Sequence, residues 1–383
     1  MTKSAKILKI AFVLDSTLDV EDGVQQYILV LGNWLKSKGH EVHYIVGESK
    51  RTDITNMHSL ARNIKVSFNG NKVTSPLPAK TKPIKDLLNK EKFDILHVQV
   101  PYSPFYGAKF VKFSDKKTAV VGTFHILPFG KIAYLGTYLL GICLRRNLQR
   151  FDQQISVSCA NQAFSAATFK TKSIVIPNMV NFSEFQPPSK FKRNNKKVTL
   201  LYLGRLTKRK GCEFLFDALD KIVDEHPNID FHLNVAGKGE LLESLKSKVL
   251  NLGLDSQISF LGFVTNQQKV ELMRNADISI FPSYSGECFG IVLIEAMAAK
   301  SGVVIAGQNP GYASVLGDIP ESLVDVKDKK AFSDKIYTMI TDKSLKNSVF
   351  VAQQKMVGKY DVNVVGQQIL EVYKNCKTTK YNG

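Results

Sequence analysis

Short runs rich in β-branched and aromatic residues alternate with stretches of helical periodicity, and the alternation comes in two series. No other feature constrains the fold as much, because strand, helix and strand in succession close most readily as a parallel sheet covered by helices. The first series has strand-like runs at 7–14, 41–46, 94–98, 118–124, 155–158 and 173–176. Between the first two, Val24, Tyr27, Ile28, Leu31, Trp34 and Leu35 recur at helical spacing and the pattern stops at Gly39. Pro187, Pro188 and a polar, basic tract ending at Lys197 interrupt the rhythm and read as a linker over 187–197. The second series has strands at 198–203, 231–235, 258–261, 278–281 and 303–306, with helices beginning at Cys212, Leu241, Gln267 and Leu293. The expected fold is α/β, with two Rossmann-like, doubly wound domains (1–186 and 198–360) facing across a cleft at their strand ends.

Residues 286–295 read Gly-Glu-Cys-Phe-Gly-Ile-Val-Leu-Ile-Glu, with seven residues between Glu287 and Glu295. Gly290 permits a tight turn into a helix, and the amides of Phe289, Gly290 and Ile291 at its start are placed to meet an anion or sugar hydroxyls. Ionised carboxylates only accept hydrogen bonds, so two of them beside such a cradle suit a sugar and a ribose. Glu295 is expected about two turns inside the helix; the plainer alternative is an amphipathic helix with a solvated glutamate at each end. The segment 204–211 places four cations between two glycines after a strand, where Arg205 offers a fork and Lys210 a point charge to a diphosphate. His125 ends another strand, and Asp22-Gly23 opens the first helix. Residues 237–240 lack the third glycine of a dinucleotide fingerprint and read as a loop.

Composition narrows the class further. The five cysteines are scattered without Cys-x-x-Cys spacing, which argues for a reducing, cytoplasmic setting and against structural zinc or a disulfide frame. A formal net charge of +18 predicts attraction to polyanions. Neither clustered aromatics beside cations nor a recognition motif is present, so nucleic acid is not an expected partner. No serine triad order, P-loop or metal motif appears, and neither a metal nor a cofactor is expected. The uncharged stretch 132–144 is too short to span a bilayer and suits a buried or interfacial helix.

Together these residues resemble glycosyltransferase family 4, retaining enzymes of the GT-B fold. The resemblance rests on the Glu287 to Glu295 motif, the Gly-Arg to Arg-Lys-Gly segment at 204–211 and Thr-Phe-His at 123–125. Within the family the chain looks most like the bacterial phosphatidylinositol mannosyltransferases, through Gly23-Val24-Gln25, Lys38-Gly39-His40, 68–71, 176–178, 260–262 and Lys359-Tyr360-Asp361. The resemblance implies a nucleotide diphosphate sugar as co-substrate, GDP-mannose being favoured. Arg205 and Lys210 would hold its diphosphate, Glu287 with Phe289, Gly290 and Ile291 the sugar, Glu295 the ribose, and Gly262, Phe263 and Val264 the base. Gly23 would contact phosphate, His125 the sugar beside the anomeric carbon, and Gln25 and Asn69 the acceptor. A helix at about 363–374, within 361–383, would return to the first domain. Asp22, Lys300, Val362 and Ser16 depart from the family pattern.

The lipid acceptor so implied, phosphatidylinositol for instance, would be met by a protein peripherally attached to the cytoplasmic face of an anionic membrane. Lys80, Lys82, Lys85 and Lys90, interleaved with Leu77, Ile84, Leu87 and Leu88, are the expected docking segment. A family member acting on a soluble sugar or sugar phosphate is the alternative.

Overall fold

The structure, a computed structural model, describes residues 6–20, 22–68, 71–104, 106–128, 130–188 and 197–382. It divides into two compact units, one of Met1–Met179 with Val362–Gly383 and one of Val180–Asp361.

The first unit contains β1 (Lys9–Leu14), β2 (Glu41–Val46), β3 (Met57–Ser59), β4 (Asn63–Phe68), β5 (Asn71–Pro76), β6 (Ile95–Gln99), β7 (Ala119–Phe124), β8 (Gln153–Ser156) and β9 (Ile174–Val175). Seven of these form a parallel sheet in the order β3-β2-β1-β6-β7-β8-β9. Alternation along β1 sends Ile10, Phe12 and Leu14 into one core with Tyr27, Leu31 and Trp34 of the helix Gly23–Ser37, and Ala11 and Val13 into another with Ile84 and Leu88. The last helix, Val362–Asn382, completes the first of these cores with Val365, Ile369 and Tyr373. Trp34 Nε1 donates to Asn363 Oδ1 at 3.0 Å, and Lys377 pairs with Asp94 at 2.9 Å.

The second unit contains β10 (Val198–Leu203), β11 (Phe231–Ala236), β12 (Ile258–Gly262), β13 (Ile278–Phe281), β14 (Val303–Gly307) and β15 (Leu323–Val324). All are parallel, in the order β12-β11-β10-β13-β14-β15. Its core joins Leu200 and Tyr202 of β10 to Leu215, Phe216 and Leu219 of the helix Cys212–Glu225.

The structure differs from the sequence reading in three places. The units divide at Met179, ahead of the proline-marked stretch, because Phe182–Phe185 is tied into the second unit: Arg274 donates to the carbonyls of Glu184, Phe185 and Gln186 at 2.9, 2.9 and 2.7 Å. Residues 189–196 of the expected linker lie outside the described residues, as does Asn69. The pair β4–β5, antiparallel from Asn63↔Pro76 to Phe68↔Asn71, was not expected, although Ile64, Val66 and Phe68 alternate with polar residues along β4; β5, Asn-Lys-Val-Thr-Ser-Pro, carries no such alternation. The lysine-rich segment folds into the helix Thr81–Glu91, which includes Pro83 in its first turn, where an amide would lack a partner anyway. Ile84, Leu87 and Leu88 are buried in the core, so only the exposed lysines of this helix, and Leu77 before it, remain available to a membrane.

Lys300, standing where the family pattern has glycine, follows the helix Ile291–Ala298 with a φ of 53°. A side chain in that left-handed position is strained. Lys300→Gly is therefore expected to raise the unfolding free energy by about 0.5–1 kcal/mol, measured by urea denaturation. A loss of stability would contradict this reading.

Candidate active site

The sheet order of the second unit reverses beside β10, which continues to β11 on one side and has β13 on the other. Chain segments leaving two such strands diverge, and ligands of α/β sheets bind in the gap between them. Here the segment after β10 is a short 3₁₀ turn, Lys208–Lys210, closed by Gly211. Gly211 has a φ of 67°, and a Cβ there would lie 2.1 Å from the Pro282 carbonyl oxygen, so only glycine lets the turn rest against the end of β13. Tyr284 N donates to the Arg209 carbonyl at 3.2 Å and joins the two segments.

Glu287 stands between them. One of its oxygens, Oε1, receives Arg209 Nη1 at 2.8 Å, Lys210 Nζ at 2.8 Å and Ser283 Oγ at 2.7 Å. Burial pushes the Glu287 carboxyl upward, but the charges of Lys210 and Arg209 outweigh it and hold the group at about 2. Burial lowers Lys210 from its ordinary value against the pull of Glu287, with Arg209 and Arg205 lowering it further. Arg205 is half-buried, makes no ion pair among the described residues, and adds to the positive field. Thr207 Oγ1, Arg209 Nε and Ser285 Oγ are buried beside this cluster without partners. Polar atoms left so are uncommon in native structures and suit a site that takes a polar ligand.

Gly290 starts the helix Ile291–Ala298 with a φ of 101°, and a Cβ on it would strike the Tyr312 ring at 2.6 Å. The helix has no side-chain cap, so the amides at its start have no side-chain acceptor from the cap residue. Phe289 contributes only its backbone here, since its ring is buried edge-on to Tyr360 at 5.5 Å. Glu295 lies little more than one turn into the helix, not two, and pairs with the buried Lys269 at 2.6 Å. Glu295 is buried and Glu287 is largely covered and ion-paired, which overturns the picture of solvated charges at the ends of an amphipathic helix.

Two further strand ends adjoin. Gly204 N, Leu206 N and Leu241 N bond the carbonyls of Ala236, Lys238 and Leu206 at 3.0, 3.0 and 3.2 Å, so the loop 237–240 braces the segment that carries Arg205. Gly237 N bonds the Gly262 carbonyl at 2.7 Å, bringing Phe263 and Val264 alongside. Phe263 is exposed, with Lys238 Nζ 5.7 Å from its ring centre. Arg209 and Lys269 are not singled out by sequence, and 237–240 reads there only as a loop. Arg209 was visible as one of four clustered cations, whereas nothing local marked Lys269, whose partner is 26 residues away.

In the first unit His125 follows β7, with Nε2 2.7 Å from Gln99 Oε1 and the Tyr27 ring edge-on at 4.8 Å. Burial lowers His125 to about 3, so it is neutral near pH 7. Donating from Nε2 to Gln99 leaves Nδ1 as an acceptor. Neighbouring His97, also lowered to about 3 by burial and by His125, bridges Thr123 Oγ1 and Tyr373 Oη at 2.6 Å each. Gly23 opens its helix with amides uncapped by Asp22. Gln25, expected at the acceptor, is buried with Nε2 donating to the Thr17 carbonyl at 3.0 Å and Oε1 unpartnered. Elsewhere, Glu41, His43 and Glu91 come within 4.8 Å of one another. Lys9 bonds both carboxylates, at 3.1 and 2.6 Å, and satisfies that cluster.

Comparison with known proteins places the chain in a class. Residues 22–184 match the pattern described as Glycosyltransferase Family 4 and residues 184–356 that described as Glycosyl transferases group 1. The chain belongs to glycosyltransferase family 4 and has the GT-B fold. It is 29% identical over 379 residues to the phosphatidyl-myo-inositol mannosyltransferase of Mycobacterium tuberculosis, covering 96% of this chain and 97% of that protein. It is 26% identical over 369 residues to the enzyme of that name from Propionibacterium freudenreichii, covering 92% and 91%. Among solved structures, a glycosyltransferase from Rickettsia africae superposes with a TM-score of 0.76 at 20% identity, covering 96% of this chain and 98% of that one.

The two histidines give the first unit a pH signature. Each is neutral when folded and takes up a proton near 6.5 when unfolded, so its stabilising contribution is present above 6.5 and is lost as pH falls toward 3. The loss is about 1.4 kcal/mol per pH unit for each. Asp15, raised to about 6 by burial, offsets one of them between about pH 6 and 4. Urea midpoints are expected to fall from pH 6.5 to 4.5, while the imidazole resonances of His97 and His125 stay unshifted down to pH 5. Titration of either ring near 6.5 would contradict the assignment.

Proposed function

We propose that the protein is a retaining hexosyltransferase that moves mannose from GDP-mannose to a membrane lipid of the phosphatidylinositol class, without a metal or cofactor. The observation that carries this reading is Glu287, held ionised by Arg209 and Lys210 beside the uncapped start of the helix Ile291–Ala298. Arg205 and Lys210 receive the diphosphate, and three cations against one carboxylate leave that pocket net positive. Glu287 and the amides at 289–291 accept from and donate to the sugar hydroxyls. Glu295, oriented by Lys269, takes the ribose, and 262–264 border the base. The mannosyl acceptor comes from the names of the relatives, and the basic character of the chain agrees with an anionic lipid.

The bond from the anomeric carbon to the diphosphate oxygen breaks with its electron pair leaving on the diphosphate. Positive charge then grows on the sugar ring and negative charge on phosphate, and fixed cations favour that change. The acceptor hydroxyl bonds to the anomeric carbon on the face the diphosphate leaves, and its proton passes to a leaving phosphate oxygen. Neutral His125, at the end of its own strand in the first unit, offers Nδ1 as an acceptor to a hydroxyl and brings no charge.

Glu287→Ala and Lys210→Ala are expected to lower transfer by roughly 10²–10³-fold with the fold retained, followed with labelled GDP-mannose and phosphatidylinositol vesicles. Product stereochemistry by NMR should show the α-anomer. Calorimetry should show GDP binding more tightly than UDP. Wild-type rates in both variants would overturn the site assignment, and turnover only with soluble sugar acceptors would replace the lipid reading.

A further inference from the structure

The helix Lys131–Cys143 packs on its neighbour Cys159–Phe169 through a narrow strip. Thr137 and Gly141 face inward, Gly141 so closely that a Cβ would lie 2.8 Å from the Phe169 ring. The opposite side is apolar yet open: Tyr134 is 46% exposed, Leu135 59%, Tyr138 40%, Leu139 53% and Ile142 59%. Positions 134, 138 and 142 and positions 135 and 139 are four apart, so these side chains form a stripe two residues wide along three turns. Scattered exposed apolar residues are ordinary on a protein surface, but a contiguous stripe of five large ones is not.

The charges around it have one sign. Arg145 and Arg146 follow the helix with one residue between and are both exposed. Arg145 shares a groove with Lys170 and Lys172 from the far end of the adjoining helix. Between Asp115 and Glu184 the sequence contains a single carboxylate, Asp152. That carboxylate is taken up by Arg150 at 3.6 Å and Lys380 at 2.9 Å. A face made for another protein would be expected to carry a rim of both signs, whereas an apolar stripe with tyrosines and a purely cationic border matches the interface of an anionic bilayer. No helix among the described residues is long and apolar enough to cross a membrane, so this one would lie in the interface plane.

We propose that the exposed face of Lys131–Cys143 is the membrane-seating surface of this protein, with Leu135, Leu139 and Ile142 entering the acyl boundary of an anionic leaflet and Arg145 and Arg146 meeting lipid phosphates. The inference rests on the lipid-acceptor reading above and identifies the surface that delivers the enzyme to that acceptor. It also moves the apolar contact away from Thr81–Glu91, whose leucines are in the core.

The test is co-sedimentation with phosphatidylglycerol–phosphatidylcholine vesicles. Wild type is expected to bind, and Leu135→Asp/Leu139→Asp to weaken binding by roughly tenfold or more while GDP binding by calorimetry, measured without vesicles, is unchanged. Arg145→Glu/Arg146→Glu should bind with a weakened salt dependence. Leu139→Trp is a milder variant, and its fluorescence should shift blue and be quenched by brominated acyl chains. Vesicle binding by the aspartate variant at wild-type strength, or a tryptophan at 139 that stays unquenched, would overturn the inference. So would a dimer in sedimentation velocity that the aspartate variant abolishes, since the occupant would then be a second copy. Normal GDP binding alongside such results would leave the donor-site reading standing. Vesicle docking through this face without transfer to any lipid would instead remove the acceptor reading and retain the surface.

Discussion

A carboxylate buried between two cations joins two chain segments that the sheet would otherwise let diverge. Glu287 belongs to the stretch after β13, Arg209 and Lys210 to the stretch after β10, and the gap between them is where the strand order reverses. Removing one partner from such a group leaves an unpaired buried charge, which is far more costly than the pair itself is stabilising. The cluster therefore fixes local geometry more than it adds stability. The 3₁₀ turn, the close approach of Gly211 to Pro282 and the bracing loop 237–240 all serve to hold it in register.

The same cluster has its charge set in advance. Glu287 is held ionised far below neutrality, so its own charge does not change near neutral pH. In the first unit the logic is reversed: burial keeps His125 and His97 uncharged, and the chain of contacts from Tyr373 through His97 to Thr123 sets the backdrop on which His125 sits. One unit thus presents fixed positive charge and the other a neutral hydrogen-bonding face.

The alternation of strand and helix was legible because each strand of a parallel sheet is apolar on both faces and each helix on one. Glu287, Arg205 and Lys210 were legible as well, since charged residues beside glycines at strand ends have few structural reasons to be there. Lys269 and the bracing role of the loop 237–240 were not, because their partners are distant in sequence and only folding brings them together. For Gln25 the resemblance implied a contact with the acceptor, whereas its side chain is buried and its amide donates to the Thr17 carbonyl. The lysine-rich helix misled in a similar way, as amphipathic spacing does not say whether the apolar face meets lipid or the protein's own core.

The helix Val362–Asn382 belongs to the first unit although the whole second unit precedes it in the chain. During synthesis, the faces of Ile10, Phe12 and Trp34 that this helix covers are therefore uncovered while all of Val180–Asp361 is being made. At roughly 5–20 residues per second that interval lasts on the order of ten seconds or more. The second unit, continuous in sequence, is free to finish folding before the first one does. A nascent chain arrested in that interval would present an apolar sheet face and an unpaired indole, the kind of surface that chaperones bind.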